Sequence, residues 1–365
     1  MATLAVPRRE LNTASIPLLV LLVGMAGLMS GVVGTAWDVS WHRTIGRDSF
    51  WILPHVFTYA GAMLNGIAAL LATSTAMAGR RVRGRELRIG ALRAELGVAF
   101  VGIATALIIL SAPFDDAWHR AIGPDVDIWS PPHLAAIAAS SLIYLGWGTA
   151  LAPGVFPIGE RLRRVLRVAM FGAWAGMAIF ATNFYYFMAV TREALFYPVL
   201  VCAVIPLVLA AGDVVTGEPY ARTKIALWYT GVSLLVIGGL QLEGWRPPAF
   251  PPLVVAGAIA VDLLRRRTAS PLLLGAAFAI AFVAAEWARM TLFPAPAPTT
   301  LVAGPDRGSQ LFFQYYGQAL ARPWLSAWPL AAIAIGTLAA ALGSTVGGRL
   351  GRWLGGTSGP VRKDA

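Results

Sequence analysis

The sequence predicts an all-α membrane protein, a polytopic bundle of about ten transmembrane helices. Of its 365 residues, 57% are hydrophobic and 13% are charged, and the mean hydropathy is +0.67. This composition leaves too few polar residues to cover a water-soluble surface. Apolar runs of about 20 residues, enough to cross a hydrocarbon core of roughly 30 Å, recur along the chain. Because these runs are long rather than short and alternating, helices are the predicted spanning elements.

Each predicted helix follows one apolar run of the sequence. The ten runs are 15–38, 52–78, 94–115, 132–152, 168–189, 194–212, 224–243, 251–264, 270–293 and 326–346. The run at 251–264 is the shortest. Without it the chain would have nine spans, and the topology of every later segment would invert.

The positive charge indicates membrane topology rather than nucleic-acid binding. Lys and Arg exceed Asp and Glu by 29 to 18, and the basic residues cluster in alternate predicted loops. These loops are 79–93, 160–167, 221–224, 265–267 and the C-terminal tail. By the positive-inside rule this side is the cytoplasm, and it contains both termini. Contact with anionic lipid headgroups of the bilayer accounts for the rest of the charge.

Two parts are predicted within one integral membrane domain. Residues 1–152 would form duplicated hairpins, and residues 153–365 would add further spans with an extracytoplasmic loop at 294–325. Cys202 is the only cysteine and lies inside a predicted span. A disulfide within the chain and a thiolate metal cluster are therefore excluded.

All four histidines fall in two copies of one motif. Residues 38–55 read DVSWHRTIGRDSFWILPH, and residues 115–133 read DDAWHRAIGPDVDIWSPPH. Trp-His-Arg, Ile-Gly and Pro-His align in both copies, with one extra residue in the second. Each copy joins one predicted helix to the next in the same orientation. The first four spans are therefore predicted to be a duplicated helical hairpin.

The spacing within each copy groups a carboxylate with two imidazoles. Asp38 and His42 are four residues apart, as are Asp115 and His119, so each pair shares a helix face if the helix continues that far. A proline suits the first turn of the returning helix, which places His55 and His133 at its entrance. Each hairpin therefore presents the ligand types of a metal site.

One other interpretation of these polar residues remains open. The motifs are rich in tryptophan, so histidine and aspartate there would also suit hydrogen bonding in an interfacial aromatic belt.

Further along the chain, Glu243, Glu286 and Arg289 are predicted near the outer ends of their helices. They are candidates for a surrounding pocket, or Glu286 and Arg289 form a simple i,i+3 ion pair.

The two motifs resemble those of the C subunit of the membrane-bound, or particulate, methane and ammonia monooxygenases. In that family an Asp-x3-His-x12-His triad and a neighbouring Asn-x3-His-x13-His triad are copper sites on transmembrane helices. Asp38, His42 and His55 match the first triad. His119 and His133 match the second, with Asp115 in the place of Asn, which adds a negative charge and favours a harder or more highly charged metal. The resemblance covers residues 38–133 and leaves the last half of the chain unexplained.

The predicted topology places both motifs near the extracytoplasmic face of what we expect to be a bacterial cytoplasmic membrane, and this position and the resemblance both favour copper. The resemblance also implies activation of O2 to oxidise a small substrate such as a short hydrocarbon or ammonia, with partner membrane subunits and an electron donor. Iron and zinc are alternatives, because two imidazoles and a carboxylate suit each of these metals. The six side chains would hold one dinuclear or two mononuclear centres. Alternative functions are extracytoplasmic copper handling, copper transport or a b-type cytochrome with His42/His119 and His55/His133 as axial pairs.

Overall fold

The computed structural model describes residues 15–45, 51–78, 85–122, 130–182, 193–246, 250–293 and 322–355. These residues form ten helices and one β-hairpin, so the predicted all-α class is confirmed. The elements are α1 Ser15–Thr44, α2 Leu53–Met77, β1 Glu86–Ile89, β2 Leu92–Glu95, α3 Leu96–Ile122, α4 Pro131–Ala150, α5 Glu160–Ala181, α6 Phe196–Thr216, α7 Ala221–Leu242, α8 Val254–Leu264, α9 Pro271–Leu292 and α10 Trp328–Gly355.

Eight of the described helices are long and apolar enough to cross a membrane, which identifies an integral membrane protein. The other two are α4 and α8. With 20 residues, α4 would reach about 30 Å, but its histidine, serines, glycines and threonine lower its hydropathy. With 11 residues, α8 would reach about 16 Å, so it is too short to cross a membrane alone. It begins after Pro251 and Pro252, which delay the start of the helix.

The basic segment at 79–93, predicted as a loop, contains most of a β-hairpin. β1 pairs antiparallel with β2, with Glu86 opposite Glu95, and Gly90 supplies the positive φ of the turn. The neighbouring Arg93 and Arg88 hold the pKa of the Glu86 carboxyl at about 2. The sequence pattern did not predict the hairpin. Charged and apolar residues do alternate there, but each strand has only four residues, which is too short for the alternation to stand out.

The predictions of loops at 160–167 and 221–224 are wrong, because these segments form the first two turns of α5 and the first turn of α7. Glu160 forms an ion pair with Arg163 there, and arginine is a good helix former. Long basic side chains can extend from a helix end to the membrane–water interface. A membrane helix can therefore begin well before its apolar run. In the same way α1 and α3 continue beyond their predicted ends at residues 38 and 115.

The basic connections meet at one end of the bundle. The contacts that join them are a hydrogen bond from Arg85 to the carbonyl oxygen of Trp353, an ion pair between Arg164 and Glu218 and an ion pair between Arg265 and Asp213. Because α3 leaves this end and α2 arrives at it, the described residues of 38–55 and 115–133 lie at the opposite end. The candidate ligands of both motif copies therefore occupy one end of the bundle, and most of the basic residues that the structure describes occupy the other.

Buried side chains form two clusters in the described chain, one spanning α1 to α5 and the other spanning α5 to α10. α5 contributes to both clusters, through Met170 and Met177 to the first and through Phe171 and Ile179 to the second. The predicted division into two parts near residue 152 stays a prediction.

A buried hydrogen bond joins the two hairpins. The indole Nε1 of Trp147 on α4 donates to Asn65 Oδ1 on α2 over 2.6 Å, and Asn65 Nδ2 donates to the carbonyl oxygen of Gly61 over 2.9 Å. Both side chains are almost fully buried. The Trp147 ring also packs against Gly24 of α1, where a Cβ would collide with it. The relative position of the two hairpins therefore depends on this contact.

We predict that Asn65→Ala and Trp147→Phe are coupled in a double-mutant cycle. Interhelical hydrogen bonds in membranes contribute about 0.6 kcal/mol on average and up to about 1.7 kcal/mol, so a coupling energy in this range is expected. The measurement is the free energy of unfolding in mixed micelles.

Thr75→Ala is the control for this cycle, because the Thr75 hydroxyl donates to Ala72 O within its own helix. Combined with Trp147→Phe, it should give an additive loss of stability. Additivity within about 0.3 kcal/mol for the Asn65 pair would show that this hydrogen bond does not hold the hairpins together.

Candidate metal centre

The first triad consists of Asp38, His42 and His55. Because α1 runs on to Thr44, Asp38 and His42 lie one turn apart on the same helix face, and His55 lies in the first turn of α2. Asp38 Oδ1 is 3.4 Å from His42 Nε2 and 3.2 Å from His55 Nε2. The sequence prediction that these three side chains come together is confirmed, since their candidate ligand atoms all lie within 4.8 Å of one another.

The second triad consists of Asp115, His119 and His133 and has the same geometry. α3 continues through both Asp115 and His119 to Ile122, and His133 lies in the first turn of α4. Asp115 Oδ1 is 3.3 Å from the Nε2 atoms of both histidines. The duplicated sequence motif therefore corresponds to a duplicated arrangement of side chains.

These separations fit a metal ion better than hydrogen bonds. Charge-assisted hydrogen bonds between nitrogen and oxygen are about 2.7–2.9 Å long, whereas the N···O distances here are 3.2–3.4 Å. The buried Oδ1 atoms of Asp38 and Asp115 have no hydrogen-bond partner of acceptable geometry. Two ligand atoms about 2.1 Å from one ion are about 3.0 Å apart at a right angle and about 3.4 Å apart at the tetrahedral angle. In each triad the carboxylate oxygen is thus spaced from both imidazoles as neighbouring ligands of one ion would be.

Close packing of α1 on α2 brings the first triad together. A Cβ on Gly34, one turn before Asp38, would lie 2.6 Å from the Thr58 backbone nitrogen and 2.9 Å from the Pro54 carbonyl oxygen. Only glycine allows this approach, which sets the distance between Asp38 on one helix and His55 on the other.

Paired aromatic rings precede the ligands in both copies. Trp37 and Trp41 pack edge to face with their ring centroids 6.3 Å apart, and Phe114 and Trp118 do the same at 6.3 Å. Each ring immediately precedes an aspartate or a histidine of its triad. The structural repeat therefore includes the surroundings of the ligands.

The aromatic pair beside the first triad has a long-range contact that sequence reasoning missed. Trp245, which follows α7, stacks on Trp41 at 5.4 Å and meets the edge of Trp37 at 5.9 Å. The next backbone N–H, of Arg246, donates to Thr44 Oγ1 over 2.9 Å. This contact joins residues about 200 positions apart in the chain, and only the tryptophan content of the segment hinted at it.

The second triad borders on a surface ion pair. Asp116 forms an i,i+4 ion pair with Arg120, so its carboxylate is engaged by Arg120 and is not one of the candidate metal ligands. The ring of His133 is 37% exposed, against 16–27% for the side chains of the other three histidines. The second triad is therefore the more open of the two at this histidine.

The remaining polar candidates are not part of either triad. Glu286 is fully buried; its Oε2 accepts from Arg289 Nε over 3.1 Å, and its Oε1 accepts from the Leu253 backbone N–H over 2.7 Å. The simple ion-pair interpretation is confirmed, and the pair also binds the start of α8. Glu243 is exposed at the end of α7. Most of the predicted loop at 294–325 lies outside the described residues, as do the central residues of both motif copies.

Neither a protein-family model, nor a curated protein, nor a solved structure matches this chain. The resemblance to the monooxygenase C subunit therefore rests on the two motifs. The geometry of the candidate ligands is an independent observation in favour of metal binding.

We predict that Gly34→Ala weakens Cu(II) binding at the first triad. The new methyl group would collide with Thr58 and Pro54, and the overpacking strain of about 1–3 kcal/mol would separate Asp38 from His55. Cu(II) titration of a His119→Ala protein, which retains only the first complete triad, measures the effect.

Gly31→Ala is the matched control, because a Cβ on Gly31 has nothing within 4 Å. It should leave the affinity unchanged. Equal affinities for the Gly31 and Gly34 variants would contradict the role assigned to this close approach.

Proposed function

We propose that this chain is the metal-bearing membrane component of an oxygenase, with copper bound by the two triads. The observation that carries the proposal is the convergence of one carboxylate and two imidazoles in each of two repeated hairpins. Ionisable groups within membrane helices are expensive and are usually functional. Two equivalent sets, each with unsatisfied buried oxygen, are poorly explained by hydrogen bonding in an aromatic belt.

Copper is the metal that we propose, on the strength of the motif resemblance. Imidazole and carboxylate ligands suit copper, iron and zinc, so the donor atoms leave iron and zinc as alternatives. When bound, copper would supply the one-electron chemistry that O2 activation requires. The carboxylates of Asp38 and Asp115 would each neutralise part of the ion's charge and hold the two imidazoles of their triad in orientation.

The surroundings of the triads favour a small apolar substrate that arrives from the bilayer. Exposed Leu53, Val56 and Phe57 flank His55, and Leu134 follows His133 with its side chain exposed. In a membrane these apolar surfaces face lipid, so a small uncharged molecule can approach without crossing a layer of water. Exclusion of water also limits competing reactions.

The proposal requires electrons from another protein. With a single cysteine, the chain cannot supply the four thiolates that commonly hold an iron–sulfur cluster. We therefore include an electron donor, and partner membrane subunits that deliver its electrons, as components of the proposed system.

Copper handling without catalysis is the second candidate function. A transporter is expected to bind its substrate near the midplane. Among the described residues, the groups of three or more candidate ligands both lie at the end of the bundle opposite the basic connections. This position favours capture at one membrane surface over transport. A b-type cytochrome is disfavoured, because His42 and His119 lie in separate triads, each beside its own aspartate.

We predict that the gently solubilised protein contains copper and gives a nitrogen-rich Cu(II) signal in electron paramagnetic resonance. Replacement of one ligand in each triad, in the double variant His42→Ala/His119→Ala, should remove both the metal and the signal. Asp116→Asn is the matched control: it removes a carboxylate next to Asp115 that pairs with Arg120 instead. It should keep its copper.

An unchanged metal content in the double variant would exclude the triads as the metal site. Zinc in place of copper would favour a structural or hydrolytic role. Copper without O2-dependent oxidation of short hydrocarbons or ammonia, in a preparation that retains its partners, would favour copper handling.

We also predict that the triads face the outside of the cell. In intact cells a membrane-impermeant thiol reagent should label Trp51→Cys, which lies just before α2, and should not label Gly159→Cys at the basic end. Both positions are exposed, and the native Cys202 is buried, so background labelling should be low. Labelling of Gly159→Cys alone would invert the proposed topology.

A further inference from the structure

α2 lies between α1 and α3, and one of its faces packs on α3. Thr105 Oγ1 on α3 donates to the Ala62 carbonyl oxygen over 3.3 Å. A Cβ on Gly66 would collide with the Thr105 side chain, and a Cβ on Gly102 would lie 3.6 Å from the Ala69 Cβ. Positions 62, 66 and 69 of α2 thus form the face that contacts α3.

Tyr59 lies on this same face, three residues before Ala62. The helices are antiparallel, with position 69 opposite Gly102 and position 66 opposite Thr105. When this register is continued towards the triads, Tyr59 lies opposite approximately Ala112, one helical turn before Asp115. The second triad is therefore near the Tyr59 side chain.

The first triad is also near Tyr59. The rings of Tyr59 and His55, one turn apart on α2, meet edge to face with their centroids 6.5 Å apart. Asp38 and Asp115 are both close enough to the Tyr59 phenol for their negative charges to act on it. One phenol therefore lies between the two triads.

The duplication did not provide this residue. In the second copy the position four residues after His133 is Ile137, which is buried in the apolar cluster of the hairpins. A side chain needed only for packing could be apolar in both copies. The phenol is thus a departure from the repeat, and it occurs at a position that lies near both triads.

We propose that Tyr59 is a positioning residue shared by both triads, through a hydroxyl that supports the carboxylate of each and makes the triads one coupled centre. This inference rests on the proposed metal binding. The Tyr59 side chain is half-buried and its hydroxyl has one proton, so the hydroxyl donates to the carboxylate of one triad and reaches the other through a bridging water. Loss of the hydroxyl then changes the orientation of ligands in both triads.

The test compares Tyr59→Phe in two proteins that each keep one complete triad. His119→Ala leaves the first triad, and His42→Ala leaves the second. Cu(II) affinity and the Cu(II) paramagnetic resonance spectrum are measured in each, with and without Tyr59→Phe. Outer partners of metal ligands typically contribute about 10–100-fold to affinity. We expect a loss in this range, and an altered spectrum, at both triads.

Tyr144→Phe is the matched control, because it removes the hydroxyl of a buried tyrosine in the same four-helix unit. Tyr144 lies three turns from His133 on α4. Its variant should keep the parent affinity and spectrum at both triads. Phenylalanine keeps the ring that contacts His55, so Tyr59→Phe should also keep the parent thermal midpoint.

The outcomes separate this inference from the proposed function. A change at the first triad only would assign Tyr59 to its neighbour His55 and overturn the shared role, as would no change at either triad. If Cu(II) binds neither to the intact chain nor to either single-triad protein, the metal-binding proposal itself fails. A spectrum that changes at both triads without a loss of thermal stability supports the coupled centre.

Discussion

The close approach of antiparallel helices is the constraint on which the candidate site depends. In each hairpin two ligands lie one turn apart near the end of one helix, and the third lies in the first turn of the next. Neither helix can assemble a triad alone. Where glycine at position 34 lets the α1 and α2 backbones nearly touch, the carboxylate of Asp38 can lie between imidazoles from both helices. The triads are therefore a product of helix packing as much as of sequence spacing.

Duplication of the hairpin supplies two triads, and later elements make them different. Trp245 and Arg246, which follow α7, cover the aromatic pair of the first triad. Near the second triad, the nearest described ion pair is the local one between Asp116 and Arg120. The exposure of the ligands differs in both directions, since Asp38 is 26% exposed against 17% for Asp115, whereas His55 is 27% exposed against 37% for His133. Equivalent ligands in unequal surroundings are expected to differ in metal affinity and in redox behaviour.

The sequence predicted those features whose cause is local. The apolar runs predicted the spans, and the i,i+4 spacing of Asp38 with His42 predicted a shared face that the continued helix provides. The site contacts that were missed join distant parts of the chain. Nothing near Trp245 in the sequence specifies that it meets Trp41, and nothing near Tyr59 specifies that its helix face turns towards the second triad. The unexpected helical turns at 160–167 had another cause, since charge was taken as the mark of a loop although arginine and glutamate also favour helices.

The second half of the chain has a structural part in this arrangement. α8 is a half-length helix, and its first turn is held by Glu286, which also pairs with Arg289. Burial of this ion pair is costly unless every oxygen has a partner, and the Leu253 N–H and the guanidinium meet that requirement. Through this contact the pair fixes the start of α8 inside the bundle. At the other end of the connection from α7, Trp245 and Arg246 contact α1, so contacts at both of its described ends tie the second half of the chain to the bundle.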